Sequence, residues 1–135
     1  LAEAAGEVEP GLTMFGGFRT EGGRIDLKKA GVFGIVTTAR VLAIRHHLLE
    51  RSTPARLSAV ATLGRGGGPD LDALTRAHGT FLDLILGQQL ADVRDGLPPG
   101  NKVVVKRLTR DQRAQLRESL DAVGHLDALM RDLLF

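Results

Sequence analysis

Apolar residues recur every three or four positions through most of this chain, and Gly, Pro and Ser/Thr clusters separate the periodic runs. The run around which the rest is organised lies between Gly22 and Glu50. It opens with Arg24-Ile25-Asp26-Leu27, whose apolar/polar alternation predicts a short half-exposed strand. A lysine pair and Gly31 then lead into a helix. At about 100° per residue, Val32, Ile35, Val36, Ala39, Leu42, Ala43 and His46 share one stripe of that helix. Phe33, Val41, Ile44 and Leu48 fall on other sides. The helix is therefore expected to have neighbours on more than one side, with a second surface that another domain or subunit covers.

Ser52-Thr53-Pro54 supplies a helix cap followed by proline, predicting a short second helix from Pro54 to Leu63 with Leu57, Val60 and Ala61 inward. The glycines from Gly64 to Gly68 end it and predict a flexible loop. A third helix is expected from Asp70 or Asp72 to Asp95, with Leu74, His78, Phe81, Leu82, Ile85, Leu86, Gln89 and Val93 facing the core. Its length of roughly 35 to 40 Å would cross the whole domain. Gly96 to Asn101 stops it, and Lys102 to Leu108, with three consecutive valines, reads as an extended crossing segment. Thr109 and Gln112 form a capping-box signature before a last helix from Arg110 to Leu134. At the other end, Leu1 to Pro10 reads as a linker. Phe15 and Phe18, around Gly16-Gly17, would anchor the entry segment on the core. The fold class is all-α, an antiparallel bundle of about four to five helices over residues 11–135, with a short extended entry segment.

Composition narrows the function classes. With 135 residues the chain has one domain's length, and without cysteine it has no disulfide framework, thiol chemistry or Cys-based zinc site. A reducing, cytoplasmic setting fits that composition. Its longest apolar-leaning run falls far short of the ~20 residues of a membrane helix, and no signal-peptide pattern opens the chain. Because it begins at Leu1, it reads as a piece of a longer protein. Net charge is only +2, but it is unevenly distributed. Nine Lys/Arg from Arg19 to Arg65 oppose three acids, and six from Lys102 to Arg117 oppose Asp111 alone, whereas Asp70 to Asp95 is acidic. Where the two basic segments meet, they would form a patch suited to phosphate or to an acidic partner.

Motif by motif, the chain offers little catalytic chemistry. Asp70-Leu71-Asp72 resembles a metal-binding carboxylate pair but opens a helix, where acidic residues are expected from the helix dipole. The Gly66-Gly67-Gly68 loop lacks the Gly-Lys-Ser/Thr ending of a phosphate loop. His46 and His47 are adjacent, hence about 100° apart, and cannot chelate one ion; His46 reads as a hydrogen-bonded core residue. No serine has a His/Asp arrangement around it, and five Phe without Trp or Tyr make a poor base-stacking surface, so neither covalent catalysis nor nucleic-acid binding is expected. No catalytic or metal-ligating residue is assigned. Lys28 and Lys29, at the strand-to-helix junction, read as a solvated pair or as candidates for contact with phosphate. Arg40 reads as a candidate ligand contact or a structural ion pair. Gln88 and Gln89 interrupt the apolar face of the third helix, so at least Gln89 should need a buried partner, and Asn101 should satisfy backbone groups after the Pro-Pro-Gly turn.

The segments GGRIDLKKAGVFGIVTTARVLAI, FLDLILGQQLADVRDGLPPGNKV and LTRDQRAQLRESLDAVGHL, in this order and spacing, resemble the nucleotidyltransferase substrate-binding domain family over about Gly11 to Phe135. That family ends certain bacterial signalling proteins. In them it typically follows a cyclic-nucleotide-binding-like domain, a CBS pair and a catalytic domain similar to the nucleotidyltransferase domain of PII uridylyltransferase. The resemblance implies an all-helical domain packed on an upstream nucleotidyltransferase domain of the same chain, helping to hold nucleotide or acceptor. Matching positions are Asp26, Lys28, Arg40, Gln89 and Asn101. Asp83, Ile85 and Gly87 depart from it, because other members often carry arginines in that helix.

Taken with Lys29, these residues give the expected substrate-binding set of a non-catalytic domain that itself holds no cofactor. Magnesium and a nucleoside triphosphate would belong to the parent protein's catalytic domain. The alternative expectation is a structural module, a homodimer or interdomain contact made through the extra apolar sides of the Phe33-bearing helix. No membrane and no nucleic acid are expected among the partners.

Overall fold

The computed structural model describes residues 11–14 and 17–135. The expected linker, Leu1 to Pro10, and the Phe15 anchor lie outside them. The described residues form an all-helical domain, as the periodicity predicts, and the two expected extended segments pair in one two-stranded antiparallel sheet, which it does not predict.

Strand β1 (Arg24–Asp26) pairs with β2 (Lys102–Val104) in the register Arg24 to Val104, Ile25 to Val103 and Asp26 to Lys102. Ile25 and Val103 point inward and are buried. The expected extended segment from Lys102 to Leu108 is therefore a strand only to Val104, and Val105–Arg107 close into a 3₁₀ turn. A π-helical turn, Lys28–Val32, follows β1 and runs without a break into helix α1 (Phe33–Arg45). Gly31 lies inside this turn. This glycine is buried against the fully buried ring of Phe81, and a methyl group on it would overlap that ring.

Helix α2 (Thr53–Thr62) carries the predicted cap, with Ser52 Oγ accepting the Ala55 N–H at 3.2 Å. The loop after it is not free of constraint. Gly67 adopts φ 71°, a backbone conformation that favours glycine, and an added Cβ would lie 2.8 Å from Leu129 Cδ1, so Leu129 would have to shift to admit it. Helix α3 (Gly68–Arg94) is 27 residues long, about 40 Å. It packs along α4 and also touches α2, the π-turn and β2, whereas α1 packs mainly against α2 and α5. Helix α3, rather than α1, therefore meets more of the rest of the chain.

The predicted last helix is two helices, α4 (Arg110–Gly124) and α5 (Leu126–Leu134). The capping box is present as expected: Thr109 Oγ1 accepts from Gln112 N and Gln112 Oε1 accepts from Thr109 N. The break at Gly124-His125 lets Leu126, Leu129, Met130 and Leu133 bury as a separate face, and α5 packs against α1. Side chains from the end of α1 satisfy its last carbonyls. Arg45 Nε donates to Leu134 O at 3.2 Å and His46 Nε2 donates to Leu133 O at 3.1 Å, which gives His46 the hydrogen-bonded role expected of it.

The face that α3 turns inward differs from the one the periodicity suggests. Leu71, Leu74, Ala77, Phe81, Leu84, Ile85, Gln88 and Asp92 are buried, whereas Leu82, Leu86, Leu90 and Val93 are exposed. Two polar residues turn inward because the sheet beside α3 presents backbone N–H groups that need acceptors.

A cationic cleft as candidate functional site

The cleft is assembled by local turns. Gly22 and Gly23, at φ 58° and 76°, make a tight turn in which Glu21 and Arg24 exchange both backbone hydrogen bonds, at 2.9 and 3.1 Å. Two consecutive positive φ angles suit a twisted hairpin turn. The turn carries the chain back from the entry segment into β1. The entry segment is closed in its own right: Leu12 bridges Phe18, Arg19 N donates to Gly11 O at 2.9 Å, and Arg19 Nε donates to Leu12 O at 3.2 Å. Phe18 is half-buried and carries the Arg117 guanidinium over its ring, 5.1 Å from the centroid. Phe18 therefore takes the anchoring role expected of the two aromatics.

Between the entry segment and the start of the π-turn lies an open cleft of about 720 Å³. Its lining includes Thr13, Phe18, Arg19, Glu21, Arg24, Asp26, Lys29 and Lys102. Strand pairing explains the convergence. Arg24 and Asp26 alternate with the buried Ile25, and Lys102 stands opposite Asp26 across the sheet. The two basic segments noted in the sequence thus meet here, four cations facing two carboxylates.

Asp26 has a defined local task. Its Oδ1 accepts the backbone N–H groups of Lys28 and Lys29, at 3.1 and 3.2 Å. The carboxylate already occupies the N-terminal end of the π-turn, where an incoming phosphate would otherwise find free N–H groups. An anion entering this cleft must be held by side-chain cations.

Of the six residues singled out from the sequence, Asp26 and Lys29 line the cleft. Lys28, Arg40, Gln89 and Asn101 do not. Lys28 and Arg40 are exposed, and among the described residues Arg40 has no ion-pair partner, so the structural salt bridge considered for it is absent. Asn101 contributes its backbone, its carbonyl accepting Leu27 N–H at 3.2 Å.

The buried glutamine is Gln88, not Gln89, which is only half-buried. Gln88 Nε2 donates to Asp92 Oδ1 at 2.9 Å, and Asp92 Oδ2 accepts Gly100 N–H at 3.3 Å. This network holds the Pro-Pro-Gly loop and β2 against α3. It is scaffold beneath the sheet and not part of the cleft lining. The expectation for Gln89 fails by one position because the backbone donors lie on the side of α3 that Gln88 faces.

Arg19, Arg24 and Lys102 are cleft residues that were not singled out individually. Their signal was the charge distribution combined with strand alternation, which places Arg24 on the same face as Asp26.

Among the described residues no cluster of three or more His, Asp or Glu side chains forms a metal site, and no helix is long and apolar enough to cross a membrane. A family model described as "Putative nucleotidyltransferase substrate binding domain" matches residues 1–133. Comparisons with curated proteins and with solved structures gave no match.

Proposed function

The chain belongs to the nucleotidyltransferase substrate-binding domain family, and on that premise we propose that it is a non-catalytic domain that holds a phosphate-bearing substrate beside a catalytic domain elsewhere in its parent protein. The observation that supports this reading is the meeting of Arg19, Arg24, Lys29 and Lys102 around one open cleft. Four cations from two stretches of sequence attract a polyanion more strongly than any one of them, and an open cleft leaves room for a neighbouring domain to close over the ligand. In this reading the reacting carboxylates, magnesium and the nucleoside triphosphate belong to a uridylyltransferase-like catalytic domain, in a cytoplasmic bacterial signalling protein that also carries CBS and cyclic-nucleotide-binding domains. Asp26 shapes the cleft by capping the π-turn, and Lys29 and Lys102 supply charge.

The test is a two-dimensional NMR titration of the chain with magnesium and ATP, UTP, CTP or GTP in turn. The expected result is saturable shifts at Arg24, Lys29 and Lys102 for one nucleotide. Affinity should fall in a Lys29→Ala/Lys102→Ala variant and stay unchanged in Arg40→Ala. Absence of any shift up to millimolar nucleotide, a free energy weaker than about −4 kcal/mol, overturns binding by this domain.

A further inference from the structure

We propose that the outward face of α3 is a homodimer interface in which two copies of the chain pack α3 against α3 in antiparallel fashion. The cleft plays no part in this inference, which rests on a different surface. Leu82, Leu86, Leu90 and Val93 are 45%, 55%, 58% and 62% exposed. At about 100° per residue they fall within one sector of roughly 80° on α3. A continuous apolar stripe along three turns of an otherwise well-packed helix is the mark of an interaction surface.

What identifies the occupant as a second copy is the self-complementarity of the stripe. A two-fold axis crossing α3 near Gln88 sets Leu86 opposite Leu90 of the other copy and brings Leu82 opposite Val93. The same axis sets Asp83 opposite Arg94. Both are exposed, both lie on the same flank of the stripe, and neither has an ion-pair partner among the described residues. Opposite charges on one flank, five residues before the centre and six after it, face each other to within one residue's rise, as an isologous pairing requires; binding to an unrelated partner would not call for that symmetry.

The glycines of this helix fit the same arrangement. Gly79 and Gly87 sit in the helix interior, where glycine lowers helix propensity, yet a Cβ at either would meet nothing in the chain. Packing within the monomer therefore gives no reason for them. Gly79 falls within the stripe and Gly87 on the flank that carries Asp83, and both leave room for a second helix to approach closely.

Sedimentation equilibrium of the 135-residue chain, from low to high micromolar concentration, tests the proposal. The wild type is expected to be a dimer, and Leu86→Asp a monomer with unchanged helical circular dichroism. Asp83→Arg and Arg94→Asp alone should each weaken association by about tenfold, and the double variant, which restores opposite charges across the axis, should recover it. A wild type monomeric throughout overturns the proposal and leaves the stripe to another domain. A dimer indifferent to Leu86→Asp overturns it by placing the interface elsewhere, as does a charge-reversed double variant no better than the single ones.

Discussion

Gln88 Oε1 accepts the backbone N–H of Val104 at 2.9 Å, joining the C-terminal part of the longest helix to the second strand of the sheet. The amide's other end donates to Asp92, so both of its polar atoms are engaged in a buried setting. Replacing Gln88 with Ala leaves the Val104 N–H and Asp92 Oδ1 without this partner. The expected loss is about 2 to 3 kcal/mol of unfolding free energy, against under about 0.5 kcal/mol for Gln89→Ala. Urea denaturation of the two variants side by side checks this, and equal midpoints would show that the network contributes little.

That contrast also shows what the sequence could and could not reveal. The caps at Ser52 and Thr109 were legible because each is decided within four residues of chain. So was the all-helical class, from the apolar periodicity. The inward face of α3 was not legible. Periodicity finds the apolar side of a helix, but α3 is apolar on two sides, and the side carrying Gln88 and Asp92 is inward because strand β2 and the Gly100 turn, both past the helix end, supply donors there. In the cleft, the charge pattern exposed the two basic segments, but only the pairing of β1 with β2 sets Lys102 opposite Asp26.

Gly31 and Phe81 form a second long-range pair. The ring occupies the space that any side chain at residue 31 would need. Gly31→Ala should therefore destabilise by about 1 to 3 kcal/mol, even though alanine favours helix more than glycine does. Phe81→Leu creates room at its own cost. In a double-mutant cycle measured by urea denaturation, the two changes together should cost less than the sum of the single ones by about 1 kcal/mol or more. Simple additivity would mean that the backbone, and not the ring, makes alanine unwelcome.

At the end of α1, His47 holds φ 56°, the left-handed conformation that glycine adopts freely. The hydrogen bonds are those of a Schellman motif: His47 N–H to Ile44 O at 3.3 Å and Leu48 N–H to Ala43 O at 2.8 Å. His47 is exposed, and among the described residues no side-chain hydrogen bond holds it. His47→Gly removes the Cβ strain while leaving the motif intact, so a gain of about 0.5 to 1 kcal/mol is expected. Thermal denaturation should show a higher midpoint than the wild type; a lower one would mean that the entropy of the freed chain outweighs the strain.

His78, half-buried on α3, titrates below its ordinary value of 6.5 because burial disfavours the charged ring. The sign of the stability effect follows from proton counting. Below about pH 6.5 the unfolded chain protonates this histidine first, so in that range the unfolded state binds more protons than the folded one. The contribution is fully present above 6.5 and is lost as pH falls through the lowered folded value. The urea midpoint of the wild type should therefore fall between pH 7.5 and pH 5.5. Other groups titrate over the same interval, and the comparison that isolates this one is His78→Gln, whose midpoint should fall less. A variant that loses as much as the wild type would mean that the folded chain charges His78 as readily as the unfolded one. The ring would then be solvated in both states, contrary to its half-buried place on α3.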